Sequence, residues 1–481
     1  MSETNSLVAV RAEKRAEMDA AGRRPYGGAF PVTGDVAAVR AAFAEGAKVA
    51  VAGRVTARRD MVKSHFLDVS DHSGRLQVYL QDKALGDDSL AAYAALDIGD
   101  FVGIEGECFT TKTGEPSVRA ERFVMLSKSL RPLPEKWHGL QDVEARHRQR
   151  YLDLVSNAEA RRIFHMRFAV VREIRRFFEE RGFLEVETPM MQAVAGGAAA
   201  TPFETHHNAL GLDLYLRIAP ELYLKRLLVA GFTKVFELNR NFRNEGVSRR
   251  HNPEFTMLEA YWAYADFEMM AELVEDMVCR VAENVCGGLR IEHKDAEGGV
   301  VRTIDLSRPW RRARYRDLVE QAEPGWFGRD AGGRRGRACE LGLDISHCAE
   351  DYEVTQHLFE KLVEEKSINP VFVTHCPKEL IPLAKTNPDD PSVVDVFELV
   401  MNGQEIAPGY SELNDPVVQR QRLLEQSGGE QHKIDEEFLQ ALEYGMPPAG
   451  GMGIGIDRLV MLLTGADSIR EVILFPHLKP R

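Results

Sequence analysis

The chain has 481 residues, 44% hydrophobic and 28% charged, a balance typical of a soluble globular protein. One hydrophobic core rarely serves so long a chain, so two domains are expected, and the net charge of −13 argues weakly against nucleic-acid binding, although local patches decide phosphate contact. The six cysteines form no Cys-x-x-Cys pair, and no apolar run approaches the ~20 residues of a membrane helix. The sequence therefore predicts a cytoplasmic protein without a zinc site, a secretory signal or a membrane span.

The first 126 residues divide into a helical part and a β-rich part. Residues 1–47 are expected to form a helical extension, with a charged helix from about Leu7 that ends at Gly22. Residues 48–126 contain five short alternating segments, with one helix near 89–96 before the fourth. This order favours an OB-type β-barrel, a fold that binds oligonucleotides by aromatic stacking, and an unrelated small barrel is the alternative.

A proline-rich boundary at residues 130–134 indicates a linker over residues 127–150. Its lysines and arginines outnumber its acidic residues, which fits either a solvated connector or a basic surface beside RNA. Residues 151–481 are predicted to be a mixed α/β domain, so the whole chain is α+β. The basic cluster from Arg329 to Arg337 receives no functional assignment.

The second domain is predicted to begin with a long amphipathic helix over about 158–181. One side of this helix carries Phe164, Phe168, Val171, Ile174 and Phe178. Gly182 ends the helix, and residues 183–186 enter a strand before Pro189. This helix–strand–proline unit has no obvious chemistry and is expected to serve packing or a subunit interface.

An arginine-rich stretch carries the strongest chemical signal. The run Phe242-Arg243-Asn244-Glu245-Gly246 is followed by Arg249-Arg250-His251-Asn252-Pro253-Glu254-Phe255-Thr256 in a strand–loop–strand pattern. Arginine's planar fork suits phosphate, and Phe255 offers a flat face to a purine. Arg458 follows the glycine-rich run 450–455, whose glycines allow close approach of a flat ligand, with a tight turn as the alternative. Two distant arginines suited to a nucleotide suggest a bent triphosphate held at both ends.

Several acidic residues are candidate ligands. Glu398 and Glu405 flank the turn Asn402-Gly403 and could lie on adjacent strands as Mg²⁺ ligands, with ordinary strand glutamates as the alternative. Glu412 follows Tyr410 and could select a cationic substrate, although its sequence position alone favours an ordinary surface glutamate. His206 and His207 point to opposite faces of a strand, which makes a metal site there improbable.

Together these stretches resemble the three signature motifs of class II aminoacyl-tRNA synthetases. The region around Pro189 is similar to motif 1, residues 242–256 to motif 2 and residues 453–458 to motif 3. The N-terminal barrel resembles that of the subclass with an OB-fold anticodon domain, which charges aspartate, asparagine or lysine. Runs such as 217–226 and 411–415 are similar to those of the lysyl members.

The resemblance implies an antiparallel sheet flanked by helices and a homodimer through the region around Pro189. It implies ATP-dependent ligation of L-lysine to tRNA(Lys) through a lysyl-adenylate, with ATP as substrate and Mg²⁺ as cofactor, and with Arg243 and Arg458 as catalytic residues. The implied ATP-binding residues are Arg243, Glu245, Arg250, His251, Asn252, Phe255 and Arg458. The implied lysine-binding residues are Gly197, Glu221, Glu259, Tyr261 and Glu412. The implied magnesium ligands are Glu398 and Glu405, and the implied anticodon contacts are Arg58, Phe66 and Gln77.

A lysine pocket needs buried carboxylates, because an unpaired ammonium is costly to desolvate, so Glu259 and Glu412 favour a cationic amino acid. One departure concerns Pro408, which stands where the family usually has an asparagine that contacts lysine. Two alternatives stay open. One is a paralogue that lysylates a protein, against which the barrel counts because such relatives lack it. The other is a non-catalytic regulatory paralogue, suggested by Pro408 and opposed by the intact arginines and glutamates of the motifs.

Overall fold

The computed structural model describes residues 3–62, 64–134, 140, 142–198, 200–295, 297–426 and 434–479. The chain forms two compact units, Met1–Gln141 and Asp142–Arg481. Residues 135–139 and 141 of the predicted linker lie outside the described residues. Among the helices that are described, none combines the length and the apolar character needed to cross a bilayer.

The first unit is a closed barrel with the strand order β1-β2-β3-β5-β4. Its strands are β1 (Lys48–Met61), β2 (Ser64–Ser70), β3 (Arg75–Gln81), β4 (Phe101–Thr110) and β5 (Pro116–Ser127). Its helices are α1 (Glu3–Ala20), α2 (Val36–Ala41) and α3 (Asp87–Ala94). Leu76, Val78 and Leu80 alternate along β3 and are buried, because successive side chains of a strand point to opposite faces. The predicted five strands, with a helix before the fourth, are confirmed.

The second unit is built on an eight-stranded sheet with the order β14-β15-β16-β17-β18-β11-β10-β6. The strands of the second unit, inside this sheet and outside it, are β6 (Leu184–Glu185), β7 (Met191–Gln192), β8 (Phe203–His207), β9 (Leu212–Leu216), β10 (Lys234–Phe242), β11 (Glu254–Ala263), β12 (Arg290–Lys294), β13 (Val300–Asp305), β14 (Arg311–Arg314), β15 (Val371–Thr374), β16 (Val396–Met401), β17 (Gln404–Ser411) and β18 (Ala449–Gly455). Only the outermost strands, β6 and β14, run parallel to their neighbours. The chain is therefore α+β, and the sheet of its second unit is largely antiparallel.

Helices cover this sheet. They are α4 (Val143–Arg148), α5 (Arg150–Ser156), α6 (Ala158–Glu180), α7 (Glu221–Val229), α8 (Phe267–Val281), α9 (Tyr315–Ala322), α10 (Ala331–Glu340), α11 (Asp351–Phe359), α12 (Pro416–Gln426), α13 (Glu436–Glu443), α14 (Ile456–Thr464) and α15 (Ile469–Val472). Buried side chains of α6, α8 and α14 form one large core with the central strands, and α7 packs with α13 in a smaller one. The helices thus fix β10, β11, β17 and β18, which carry the candidate site.

The predicted amphipathic helix is confirmed as α6, but the assignment of Phe168 to its buried side is wrong. Phe164, Ile174 and Phe178 are buried, whereas Phe168 is 49% exposed. The buried stripe also includes Arg167 and Val170, which places its centre about a third of a turn away from Phe168. Phe168 therefore lies beside the stripe and faces outward.

The basic residues near the linker serve the second unit itself. Arg150 is buried, pairs with Asp153 at 2.7 Å and donates to the carbonyl of Arg470 at 2.7 Å. Arg146 also bonds Asp153, at 2.9 Å. Residues 143–150 form α4 and the start of α5, and the guanidinium groups of Arg146 and Arg150 are used within the second unit.

The basic cluster around α10 is also committed to internal contacts. Arg334 donates two hydrogen bonds to the carboxylate of Asp351, from Nε at 3.0 Å and from Nη2 at 2.6 Å. Arg335 donates to the carbonyl of Cys348 at 3.0 Å, and Arg337 bonds Glu323 at 2.8 Å. These contacts tie α10 to its neighbours along the chain, so the cluster is structural.

Candidate active site

The candidate site is a groove whose floor is the glycine strand β18. Gly451, Gly453 and Gly455 alternate along it and leave one face without side chains. They lie opposite Tyr261, Glu259 and residue 257 of β11, respectively. From Gly451 to Gly455 the floor measures roughly 13 Å at the usual rise of a strand.

One end of the groove is a cavity of about 210 Å³ whose lining includes three arginines and three acidic residues. Its wall contains every residue predicted to bind the nucleotide: Arg243, Glu245, Arg250, His251, Asn252, Phe255 and Arg458. The structure thus brings the two distant arginines into one cavity. Pro408, the departure from the family pattern, lines the same cavity, one residue before the β17–β18 ladder begins.

Arg243 follows β10 directly, and its amide bonds the carbonyl of Pro253 at 2.9 Å. Its guanidinium carbon lies 5.1 Å from the centre of the Phe255 ring. Burial lowers the pKa of Arg243, and its Nε is buried without a hydrogen-bond partner among the described residues. A buried guanidinium with an unused donor is prepared for an anionic ligand.

Arg458 lies in the first turn of α14. Its Nη1 donates to the carbonyl of Glu405 at 2.9 Å, and its Nη2 is 3.2 Å from Nε2 of His251. Burial, together with the charge of Arg458, lowers the pKa of His251, which favours a neutral ring that can accept this bond. The arginine is therefore fixed at the mouth of the cavity.

A buried ion pair holds the start of α14 against β11. Arg167 of α6 pairs with Oδ1 of Asp457 at 2.5 Å, and Oδ2 of Asp457 accepts the amide of Thr256 at 2.7 Å. Arg167 also bonds the Thr256 hydroxyl at 3.0 Å. Because Asp457 precedes Arg458 in the chain, this network sets the position of the arginine.

The predicted magnesium ligands lie on the β16–β17 hairpin, whose turn Asn402-Gly403 has left-handed φ values of 56° and 72°. Glu398 and Glu405 are on adjacent strands, although the ladder has a register shift between them. Oε1 of Glu364 accepts the amide of Glu405 at 3.2 Å. Burial and the charges of Glu405 and Glu364 raise the pKa of Glu398 to about 8. Repelling carboxylates of this kind suit a divalent cation.

Three buried glutamates form the opposite end of the groove, which we name the acidic cup: Glu221, Glu259 and Glu412. Tyr261 donates its hydroxyl to Oε2 of Glu259 at 3.0 Å, and Tyr410 donates to both oxygens of Glu221 at 3.0 Å. The predicted lysine-binding acids are thus brought together and removed from water. Burial raises the pKa of Glu412 to about 8 and raises that of Glu259 well above its usual range.

Glycines close the cup at two places. A Cβ on Gly451 would lie 1.8 Å from Oε1 of Glu412, so a larger residue has no space there. Gly197, the remaining predicted contact, has a φ of 87°, and a Cβ on it would lie 3.1 Å from Cβ of Glu221.

Lys225 also places its ammonium in the acidic cup. Its Nζ lies 2.6 Å from Oε1 of Glu221 and pairs with Oε2 of Glu412, and its side chain has no exposed surface. Both oxygens of Glu412 are buried: Lys225 holds Oε2 as an ion pair, Oε1 lies against Gly451, and neither accepts a hydrogen bond of ordinary geometry in the described part of the chain. The cup therefore contains three carboxylates and one internal ammonium.

In the first unit, two of the predicted anticodon contacts share one face. Phe66 lies opposite Tyr79 with ring centres 5.1 Å apart, and Gln77 lies two residues before Tyr79 on the same side of β3. These side chains are partly exposed, whereas Leu67 and Val78 between them are buried.

The structure separates Arg58 from Phe66 and Gln77. A β-bulge after Val55 reverses the alternation of β1, so that Arg58 lies opposite the core residue Leu67 and Arg59 lies opposite Phe66. Arg58 turns to the other side of the sheet, where its Nη1 donates to the carbonyl of Leu96 at 2.8 Å. Its guanidinium is thus already bonded, and Arg59 is the arginine on the face of Phe66.

Comparison with known protein families decides the assignment. Residues 142–479 match the family described as tRNA synthetases class II (D, K and N), and residues 49–126 match the OB-fold nucleic acid binding domain. The chain belongs to the class II tRNA synthetases. The family resemblance read from the motifs is thereby confirmed.

Relatives of this synthetase are similar over nearly their whole length. A lysine–tRNA ligase of Syntrophomonas wolfei subsp. wolfei is 49% identical across 99% of this chain and 98% of the relative. A lysine–tRNA ligase of Pelotomaculum thermopropionicum is 50% identical across 99% and 96%. A lysine–tRNA ligase of Bacillus cereus is 46% identical across 99% and 98%.

Three charged residues of this synthetase site were not predicted from the sequence: Arg167, Lys225 and Asp457. Lys225 follows Glu221 by four residues, a spacing that places both on one face of a helix, and this was the available signal. Arg167 and Asp457 are 290 residues apart, and no local pattern joins them.

Proposed function

We propose that this synthetase ligates L-lysine to tRNA(Lys) with ATP, through a lysyl-adenylate. The observation that carries the proposal is the polarity of the groove: the half-buried guanidinium groups of Arg243 and Arg458 stand at one end of the glycine strand and the buried acidic cup at the other. A zwitterionic amino acid with a second ammonium, joined to a nucleotide, matches that polarity.

The charges of the acidic cup favour lysine. With all three glutamates ionised, Lys225 balances only one, and the substrate brings two further ammonium groups. The ε-ammonium would bind Oε1 of Glu412 beside Tyr261 and Glu259, and the α-ammonium would bind Glu221 and the backbone at Gly197. An aspartate pocket would instead need a cationic group free to bind the side-chain carboxylate.

The cavity that contains Arg243, Arg250 and Arg458 in its wall would hold ATP. Arg243 would bind the α-phosphate and the lysine carboxylate, and adenine would lie between Phe255 and Arg458. Glu245, Arg250, His251 and Asn252 would complete the nucleotide contacts. Oδ1 of Asn252 is buried and has no partner among the described residues, as expected of a group that meets a ligand.

The chemistry needs no protein nucleophile. An oxygen of the lysine carboxylate attacks the α-phosphorus, the bond to the bridging oxygen breaks, and pyrophosphate leaves. A ribose hydroxyl of the terminal adenosine of tRNA then attacks the lysyl carbonyl carbon and expels AMP. Arg243 serves as a catalytic residue by stabilising the phosphate charge, and Arg458 serves as one by positioning the nucleotide through its adenine.

Glu398 and Glu405 would hold Mg²⁺. Their fit rests on two carboxylates that repel each other, which is the donor set that this ion takes while leaving other positions to water and phosphate. Among the described residues there is no cluster of three or more potential ligands, so the remaining donors would come from ATP. When bound, Mg²⁺ supplies neutralisation of the phosphate charge.

The barrel, residues 48–126, would bind the anticodon, and residues 151–481 would carry catalysis, with 127–150 between them. Phe66 would stack on a base and Gln77 would read it, since both lie on one partly exposed face. Arg58 would take the same role only from the other side of the sheet, where it bonds the carbonyl of Leu96, whereas Arg59, which pairs with Asp68 at 3.2 Å, lies opposite Phe66.

We also propose a homodimer through the region around Pro189, in the cytoplasm. Support comes from large apolar side chains that are exposed on either side of Pro189 in the chain, namely Leu184 (51%), Met190 (48%) and Met191 (56%). All six cysteines are unpaired, as expected in a reducing compartment. Met190→Glu together with Met191→Glu should shift the protein to monomers in size-exclusion chromatography with light scattering, because like charges that meet across an interface repel.

The test is ATP–pyrophosphate exchange with each of the 20 amino acids, followed by charging of tRNA(Lys). Lysine alone should drive exchange, and labelled lysine should appear on tRNA. Label on a protein would favour the protein-lysylating alternative, which the intact barrel disfavours. No lysine-dependent exchange would reject the proposal and favour a regulatory paralogue.

A further inference from the structure

The position of Lys225 is unusual for a substrate site, because the site already contains the chemical group that it is built to receive. Nζ of Lys225 contacts Glu221 at 2.6 Å and pairs with Glu412, the two glutamates that would receive the two ammonium groups of lysine. The side chain is fully buried and comes within 5.7 Å of the Tyr410 ring centre. Because it is anchored to α7, Lys225 cannot leave when substrate enters.

We propose that Lys225 determines specificity by occupying Oε2 of Glu412, so that only Oε1 is left for one further ammonium and a guanidinium fork is excluded. This inference rests on the proposed function of the acidic cup as the lysine site. Arginine binds a carboxylate best through two parallel hydrogen bonds, one to each oxygen. An ammonium is a compact charge and needs only one oxygen. The cup thus favours lysine over arginine because Lys225 already occupies one of the two oxygens of the Glu412 carboxylate.

The internal ammonium also favours the ionised, binding form of Glu412. Burial alone would lower the pKa of Lys225, but Glu221 and Glu412 outweigh it and raise that pKa, so the side chain stays charged. In turn Lys225 opposes the rise that burial causes in the pKa of Glu412. Without it, mutually repelling carboxylates would remain in a buried site, and one of them would take up a proton near neutral pH.

The groups that face Glu412 make the direction of this effect clear. From α7 come Glu221 and Lys225, from β11 comes Tyr261, and from β17 comes Tyr410; β18 contributes glycine backbone. Lys225 is the one cation in that list. Its removal therefore moves the titration of Glu412 to higher pH, and lysine binding, which needs the ionised carboxylate, follows it.

The experiment measures ATP–pyrophosphate exchange by the full chain and by Lys225→Met, with lysine and with arginine, from pH 6 to pH 9. Arg226→Met is the matched control, because Arg226 is the next residue of α7 and pairs with Asp435 outside the cup at 2.5 Å. Lys225→Met should raise KM for lysine, lower the preference for lysine over arginine about ten-fold, and leave KM for ATP unchanged. The acid limb of the KM profile for lysine should move up by about one pH unit, which is about ten-fold in KM below the limb.

A double-mutant cycle with Glu412→Gln separates recognition from folding. If Lys225 acts through Glu412, the effect of Lys225→Met on the lysine–arginine preference should disappear in the Glu412→Gln background, whereas a purely structural effect would persist. If Lys225→Met does not fold, Lys225→Gln keeps a donor beside both carboxylates and tests the charge alone. A folded variant with unchanged preference and an unmoved acid limb overturns the inference. Failure of the wild-type chain to activate lysine would instead overturn the proposed function.

Discussion

Substituting Gly451 by alanine tests the acidic cup with a single methyl group. Its Cβ would lie 1.8 Å from Oε1 of Glu412, whereas ordinary contact begins at 3.4 Å, so the carboxylate would have to retreat by about 1.6 Å. A misplacement of about 1 Å in a binding group can cost about 100-fold in rate, equivalent to about 2.7 kcal/mol. We therefore expect kcat/KM for lysine in ATP–pyrophosphate exchange to fall about 100-fold, while KM for ATP stays near the wild-type value.

Gly453→Ala is the matched control on the same strand. Its Cβ would approach Cε of Met257 at 3.1 Å, the flexible end of a side chain, and would stay 3.8 Å from Cγ of Glu259. We expect KM for lysine to change within roughly three-fold, because such a contact relaxes easily, while KM for ATP rises because Gly453 lines the nucleotide cavity. Neither glycine has a positive φ, so both substitutions test space and not backbone strain. A folded Gly451→Ala variant that activates lysine as well as Gly453→Ala does would refute the placement of the cup.

Three further predictions concern other parts of the molecule. Phe66→Ala should weaken binding of tRNA(Lys) by about 1–3 kcal/mol in a filter-binding assay while lysine activation is retained, because only a stacked base is lost. Pro408→Asn should lower KM for lysine by a few-fold, about 0.5–1.5 kcal/mol, if the amide restores a hydrogen bond that proline cannot make; an unchanged KM in exchange assays would argue that the family contact has been replaced. Arg167→Met leaves Asp457 unpaired in a buried site and should reduce the free energy of unfolding in urea by about 3–5 kcal/mol, and a loss below 1 kcal/mol would contradict the bonding described for α14.

Much of the site follows from the sequence because its pattern is local. Phe255, Glu259 and Tyr261 occupy alternate positions and therefore share a face of β11, and the glycines of β18 alternate in the same way. The five barrel strands and α6 are also readable from short-range periodicity. In each case the residues that act together lie within one element.

The features that the sequence did not reveal depend on single-residue irregularities or on distant contacts. Simple alternation from Val51, Gly53 and Val55 would turn Arg58 outward, but one extra residue in the bulge turns it inward. Phe168 lies outside the buried stripe of α6, because contacts with residues distant in the sequence decide which side of the helix is buried. Lys225 reveals its role only when β17 brings Glu412 beside α7.

The strand order of the second unit has a consequence for how the protein is made. β18 lies between β17 and β11 in space, yet it is synthesised after every other strand of that sheet. Until it emerges from the ribosome, the sheet exists as two separate halves with unpaired inner edges. The barrel, in contrast, is completed early by contiguous sequence. We therefore expect the nascent chain to carry a finished first unit and an unfinished second one for most of its translation, and to depend on protection of those edges meanwhile.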